Sequence, residues 1–234
     1  SRADALAFMR AFLAAHAGAR DVRLAYARTL VNANQFSEAR AEFTRLTQDF
    51  PRNAEVSFAA GLLSLQMGDL DAARELLSQT LDYSPREPDA VYYYLGQVAE
   101  QQKQPDAAAA HYARVQGGNY LVPARARQAA LLAQAGQRDA ARALLRETTG
   151  ETDAQNIRLV QAQAELLRND KQHALEFDTL SEGLKRFPDA PDLLYDRAMA
   201  AEKLDRLDVL EADLRHVIAL RPDDAQAYNA LGYT

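Results

Sequence analysis

Residues 54–87 read AEVSFAAGLLSLQMGDLDAARELLSQTLDYSPRE. Gly61, Gly68, Leu70, Ala73, Leu77 and Pro85 punctuate this stretch as two apolar-faced helices joined near Gly68 and closed by a proline. The preceding residues, Arg20 to Asn53, carry the same design. Leu24, Ala27, Leu30 and Val31 recur at helical spacing, and Asn34 stands where a left-handed residue ends a helix. Phe36, Ala39, Phe43 and Leu46 then form a second helical face before Pro51.

The pattern continues toward the C-terminus with a period of about 34 residues. Pro51 and Pro85 share this interval, as do Pro188 and Pro222. Small residues keep step at Ala27, Gly61, Gly96, Ala198 and Gly232, and alanines at Ala39, Ala73, Ala108, Ala141 and Ala174. A third unit starts near Asp89 with Tyr92, Leu95, Gly96, Ala108 and Tyr112, and ends irregularly at Gly117-Gly118-Asn119. A fourth, about 122–154, has Ala129, Leu132, Gly136, Ala141 and Leu145 without a closing proline. In the fifth, Leu159, Ala162, Leu166 and Ala174 fit, and its second helix is expected to run about two residues long before Pro188. The sixth, Pro191 to Asp224, is regular, with Leu194, Ala198, Leu207, Leu214, Val217 and Pro222.

The expected organisation is therefore a half unit at 1–19, six repeats over 20–224, and the start of a further unit at 225–234. Ala5, Met9 and Phe12 match a second helix, whereas Tyr228, Leu231 and Gly232 open a first helix. A chain that begins and ends inside repeats reads as a piece of a longer protein. Each hairpin is too small to bury its own apolar face, so stacked hairpins share one extended core.

Helix formers dominate and β-branched residues are few, which selects an all-α chain. The net charge of −6 is spread without a basic stripe, which argues against nucleic acid as a partner. Cysteine is absent, which excludes disulfides and thiolate chemistry from these residues. Apolar runs are too short for a membrane span, and no signal or lipidation motif occurs.

The order Tyr92–Leu95–Gly96–Ala108–Tyr112, together with Gly61–Gly68–Ala73–Pro85 and Leu194–Ala198–Leu207–Leu214–Pro222, resembles the tetratricopeptide repeat. The resemblance spans essentially the whole chain and implies an all-α solenoid, a right-handed superhelix of antiparallel helix hairpins. The stretch Asp192 to Thr234, with Tyr195-Asp196-Arg197-Ala198-Met199-Ala200-Ala201-Glu202 and Asn229-Ala230-Leu231-Gly232-Tyr233-Thr234, also resembles proteobacterial multi-repeat proteins. Some of these are outer-membrane lipoproteins that deliver substrates to a carboxyl-terminal processing protease. That resemblance implies a periplasmic location at the outer membrane and a periplasmic protease as partner.

Catalytic and metal chemistry find no support. His16, His111, His173 and His216 include no pair at zinc-ligand spacing, and there is no phosphate-binding loop or nucleophile elbow. Gly117-Gly118 reads as a turn between repeats, and Asp223-Asp224 as the acidic start of a helix. No catalytic, cofactor or metal residue is assigned.

In the tetratricopeptide pattern, first-helix positions that miss the core face a concave groove. Here these are Leu24, Arg28 and Val31; Phe58, Leu62 and Leu65; Tyr93, Gln97 and Glu100; and Tyr195, Met199 and Glu202. Their apolar and aromatic character suits capture of a protein or peptide. A clamp for a terminal carboxylate would need Lys and Asn where this chain has Leu24 and Arg28. The run Tyr92-Tyr93-Tyr94 divides by helical geometry, Tyr92 toward the core and Tyr93 toward the groove. The expected function is a non-enzymatic scaffold for a protein partner. The alternatives are a substrate-recruiting segment of a larger enzyme, or a cytoplasmic assembly factor for a surface polysaccharide or pilus. The sequence leaves self-association open.

Overall fold

The computed structural model describes residues 2–232, and those residues form fourteen α-helices and no strand. Ser1 of the leading half unit, and Tyr233 and Thr234 of the closing one, lie outside the described residues. Helices α1 (Arg2–Ala15), α2 (Arg20–Asn32), α3 (Phe36–Asp49), α4 (Ala54–Gln66), α5 (Leu70–Asp82), α6 (Pro88–Gln101) and α7 (Pro105–Ala113) build a first compact unit, which ends at Gln116. A second unit follows from Gly117. It holds a 3-10 turn (Gly118–Tyr120), then α8 (Leu121–Gln134), α9 (Arg138–Glu147), α10 (Asp153–Asn169), α11 (His173–Arg186), α12 (Pro191–Lys203), α13 (Leu207–Leu220) and α14 (Ala225–Gly232). Six antiparallel hairpins, α2–α3 through α12–α13, pack partner on partner. This is the all-α repeat solenoid that the period requires.

One local device makes all six hairpins. Asn34, Gly68, Lys103, Gly136, Lys171 and Asp205 each have φ between 57° and 82°. The amide after each donates to a carbonyl five residues back: Gln35 to Leu30, Asp69 to Ser64, Gln104 to Ala99, Gln137 to Leu132, Gln172 to Leu167 and Arg206 to Ala201, all at 2.8–2.9 Å. This is a Schellman closure, which satisfies carbonyls orphaned at a helix end and reverses the chain.

Counting from these turns fixes the register. Seven residues before each stand Ala27, Gly61, Gly96, Ala129, Ala164 and Ala198, all buried. Five residues after each stand Ala39, Ala73, Ala108, Ala141, Glu176 and Leu210, also buried. Small residues at the first position let the second helix approach closely. A Cβ on Gly61 would lie 2.9 Å from Leu77 Cγ, and one on Gly96 would lie 2.7 Å from Tyr112 Cδ1.

The fifth repeat departs from the sequence reading. Its small first-helix residue is Ala164, whereas Ala162 is only half-buried. Ala174 is exposed, and the ladder position belongs to Glu176. The extra length lies in the first helix: α10 has 17 residues, while α11 has 14, like α3. The cause is an early start. Thr152 caps α10 by accepting from Gln155 N at 3.2 Å, and Asn156 ties the preceding loop to Gly150 by two hydrogen bonds. These side chains replace the proline that the fourth repeat lacks.

Candidate functional site

On the first helices, residues at i, i+4 and i+7 share one face. Phe58, Leu62 and Leu65 of α4 form such a row and are all half-buried. Phe58 and Leu65 rest on the cluster of Ala73, Leu77, Val91, Leu95 and Val98. The equivalent row of α6 is Tyr93, Gln97 and Glu100, again half-buried. An aromatic chain links the two helices: the Phe58 and Tyr94 ring centroids are 5.8 Å apart, Tyr94 and Tyr93 5.4 Å, and Tyr93 and the buried Tyr112 5.9 Å. Tyr92, expected in the core, is half-buried instead. The Arg114 guanidinium lies 5.1 Å over its ring and donates to its hydroxyl at 3.2 Å.

The row on α2 is different. Leu24 is only 2% exposed, which removes it from any binding face. It belongs to a core with Leu13, Ala27, Leu30 and Val56. Leu13 of α1 and Val56 of α4 belong to the same cluster as Leu24 and cover it. Val31 is partly buried against the same core, and Arg28 is exposed and reaches Glu55 of α4 at 3.3 Å.

In the second unit, Tyr195 and Met199 of α12 are half-buried against the C-terminal core, and Glu202 is exposed beside Lys203. Periodicity did not reveal the polar network next to them. Glu176 is 1% exposed and accepts from Arg168 Nε at 2.7 Å, with His173 Nδ1 3.1 Å away. Arg168 also donates to Asp196 at 3.2 Å, and Asp196 accepts from Gln161 at 3.2 Å. The network therefore runs from the second helix of the fifth repeat, through α10, to α12. A second buried carboxylate, Asp213, takes a two-pronged bond from Arg197 at 2.7 and 2.8 Å. The signal for Glu176 was present in the sequence as a charge five residues after Lys171, visible only once that turn is placed.

The histidines are scattered. His16 stacks on Phe12, His216 pairs with Asp189 at 3.0 Å, and burial, with Arg114 nearby, pushes the His111 imidazolium below its ordinary range. Among the described residues no group of three or more His, Asp or Glu could hold a metal, and no helix is long and apolar enough to cross a membrane.

Comparison with known proteins agrees with this architecture. A tetratricopeptide-repeat family model matches residues 24–82 and 58–120. A TPR repeat-containing protein of Pseudomonas aeruginosa, PA4667, is 43% identical over 146 residues, which is 62% of this chain and 25% of that protein. The chain thus matches about a quarter of that relative's length. Among solved structures, PilW, described as a widely conserved type IV pilus biogenesis factor, superposes with a TM-score of 0.58 at 16% identity, over 92% of this chain and 99% of that one. Yeast Tom70 gives 0.60 at 14% identity, over 92% of this chain and 46% of that one. At these identities the likeness is one of fold.

Proposed function

We propose that this chain, a member of the tetratricopeptide-repeat family, is a non-enzymatic scaffold that captures another protein on the first-helix faces of its hairpins. The observation that carries this reading is the half-buried row of Phe58, Leu62 and Leu65 on α4, beside Tyr93 on α6. Large apolar side chains left half-covered at one repeat face are the residues that become anchors when a partner excludes water. The groove formed by these faces is the binding surface in the first unit, and Tyr195 and Met199 are the corresponding anchors in the second.

The finer reading is an adaptor, on the periplasmic side of the outer membrane, for a carboxyl-terminal processing protease. It is supported by the resemblance of residues 192–234 to proteins with that role. The test uses the full-length protein with a purified processing protease from the same cell. Phe58→Ala and Tyr93→Ala should each weaken capture at least about tenfold while helicity is retained. Binding that survives both changes, and is lost on altering the second helices, would sink the groove. Absence of any binding between the full-length protein and the protease would sink the adaptor and leave the scaffold standing.

A further inference from the structure

A cavity of about 390 Å³ lies among α1, α2 and α3, and none of its lining residues belongs to the first-helix rows described above. Its charged and hydroxyl groups come from Arg10, Arg23, Tyr26, Glu38, Glu42 and Arg45. Two of these are almost fully covered, since Arg23 and Tyr26 are each 5% exposed. Arg23 donates through one terminal nitrogen to Glu42 at 2.7 Å and through the other to the Ala17 carbonyl at 2.8 Å. Its Nε–H is buried and meets no acceptor among the described residues. The Tyr26 hydroxyl accepts from Arg10 Nε at 3.0 Å, and its own O–H donates to no acceptor among the described residues. On the opposite wall Arg45 lies 3.8 Å from Glu42, beyond hydrogen-bond reach, with its side chain largely exposed.

Both covered residues are thus left with a donor and no acceptor. Buried donors without acceptors are costly, and a ligand that supplies the acceptor removes the cost. The charges point the same way. Glu42 is committed to Arg23, so Arg10 and Arg45 face one remaining carboxylate, the exposed Glu38. Three guanidinium groups against two carboxylates leave a local surplus of one positive charge, in a chain whose net charge is −6. We infer that this cavity binds a carboxylate carried on a short aliphatic stem, as in a glutamate side chain or a small organic acid. The carboxylate accepts from Tyr26 and from the guanidinium groups of Arg10 and Arg45, and such charge-assisted bonds are roughly twice as strong as neutral ones. Leu13 and Ala14 complete the wall against which the stem lies. The cavity exceeds the roughly 30 Å³ of one water, so it admits an organic body and not an ion alone. A doubly charged phosphate fits less well, because it outweighs the single surplus charge and meets Glu38 and Glu42. The inference stands apart from the groove reading, with which it shares no residue.

The experiment is an NMR titration of the intact chain that follows the arginine side-chain N–H signals. The probes are a capped Ala-Glu-Ala peptide, its Ala-Gln-Ala counterpart, butanoate and inorganic phosphate. The glutamate peptide should bind at least about tenfold tighter than the glutamine peptide, and the difference should shrink as salt is added. Arg10→Gln and Arg45→Gln alter exposed side chains, so the fold should survive, and each should weaken the glutamate peptide about fivefold. Tyr26→Phe should weaken it about threefold. Glu38→Gln should strengthen it about twofold by removing a like charge, a gain that a merely structural role for these residues does not produce. Butanoate binding as tightly as the glutamate peptide would support the inference and assign the site to a free acid; a clear preference for the peptide would assign it to a protein side chain. Equal binding of the glutamate and glutamine peptides would overturn the inference. So would phosphate binding tighter than both carboxylates, curves that ignore both arginine variants, or no saturable shift with any probe.

Discussion

Gly96 offers the sharpest test of how the hairpins close. Tyr112 of α7 is fully buried, and its ring lies where a Cβ on Gly96 would stand, 2.7 Å from Cδ1 and from Cζ. Real Cβ atoms do not sit this close to a carbon, so Gly96→Ala forces a shift. Two effects compete. Alanine in place of a mid-helix glycine contributes about 1 kcal/mol of helix propensity. Overpacking a full core costs about 1–3 kcal/mol. The tyrosine ring is a rigid, fully buried plane with the Tyr93 ring centroid 5.9 Å from its own, so it yields less readily than the end of a flexible chain. The larger cost should win, with a net loss of roughly 1–2 kcal/mol. Urea denaturation followed by circular dichroism reads this loss. A double-mutant cycle isolates its cause, because Gly96→Ala made in a Tyr112→Leu background should be neutral or stabilising. Gly18→Ala is the control, since nothing lies within 4 Å of a Cβ there. If Gly96→Ala raised the midpoint as Gly18→Ala should, or lost the same energy whether or not Tyr112 was present, the close-approach argument would be wrong.

Three other outcomes follow from the same geometry. Lys171 holds φ 59° in a turn where other repeats use glycine, so Lys171→Gly should stabilise by up to about 1 kcal/mol and Gly136→Ala should destabilise by a similar amount, both read as shifts in urea midpoint. Arg168→Ala leaves the buried Glu176 carboxylate with His173 as its remaining side-chain partner and should cost about 3 kcal/mol, whereas Glu176→Ala leaves Arg168 with Asp196 and part of its surface in water, and should cost about 1 kcal/mol; equal costs would contradict the network. Burial lowers the His111 affinity for protons in the folded chain, so the unfolded chain binds the proton first; stability should fall as pH drops below the ordinary histidine range, and His111→Gln should flatten that acid-side slope in pH-dependent melts.

The turns and small residues were legible because they are local. Asn34 and Gly68 announce a left-handed residue by type, and Gly61, Gly96 and Ala198 keep their spacing through any change on the surface. Lys171 does the same backbone work with a side chain that carries no such signal, so the fifth register slid to Ala162 and Ala174. Ala174 looked like a ladder rung because alanine is common in this chain. The true rung, Glu176, is tolerable only through Arg168 and His173, and a partnership in space leaves no periodic mark. Leu24 failed for a related reason. Periodicity tells which face a residue is on, but the depth of cover depends on neighbours such as Leu13 and Val56. The row of Phe58, Leu62 and Leu65 on α4 follows from composition and spacing, and all three are half-buried.

The six Schellman closures carry a consequence for how the chain acquires its structure. Each joins atoms five residues apart, and each hairpin's own packing involves partners adjacent along the sequence. Entropy lost in loop closure is therefore small at every step. Low contact order favours rapid folding, and a newly made hairpin can form as soon as its second helix has left the ribosome. Such a chain can gain or lose one hairpin of about 34 residues by duplication or excision and still present matching ends to its neighbours. Removing half a hairpin would instead leave a first helix beside a first helix, with Gly96-type clefts that no ring fills.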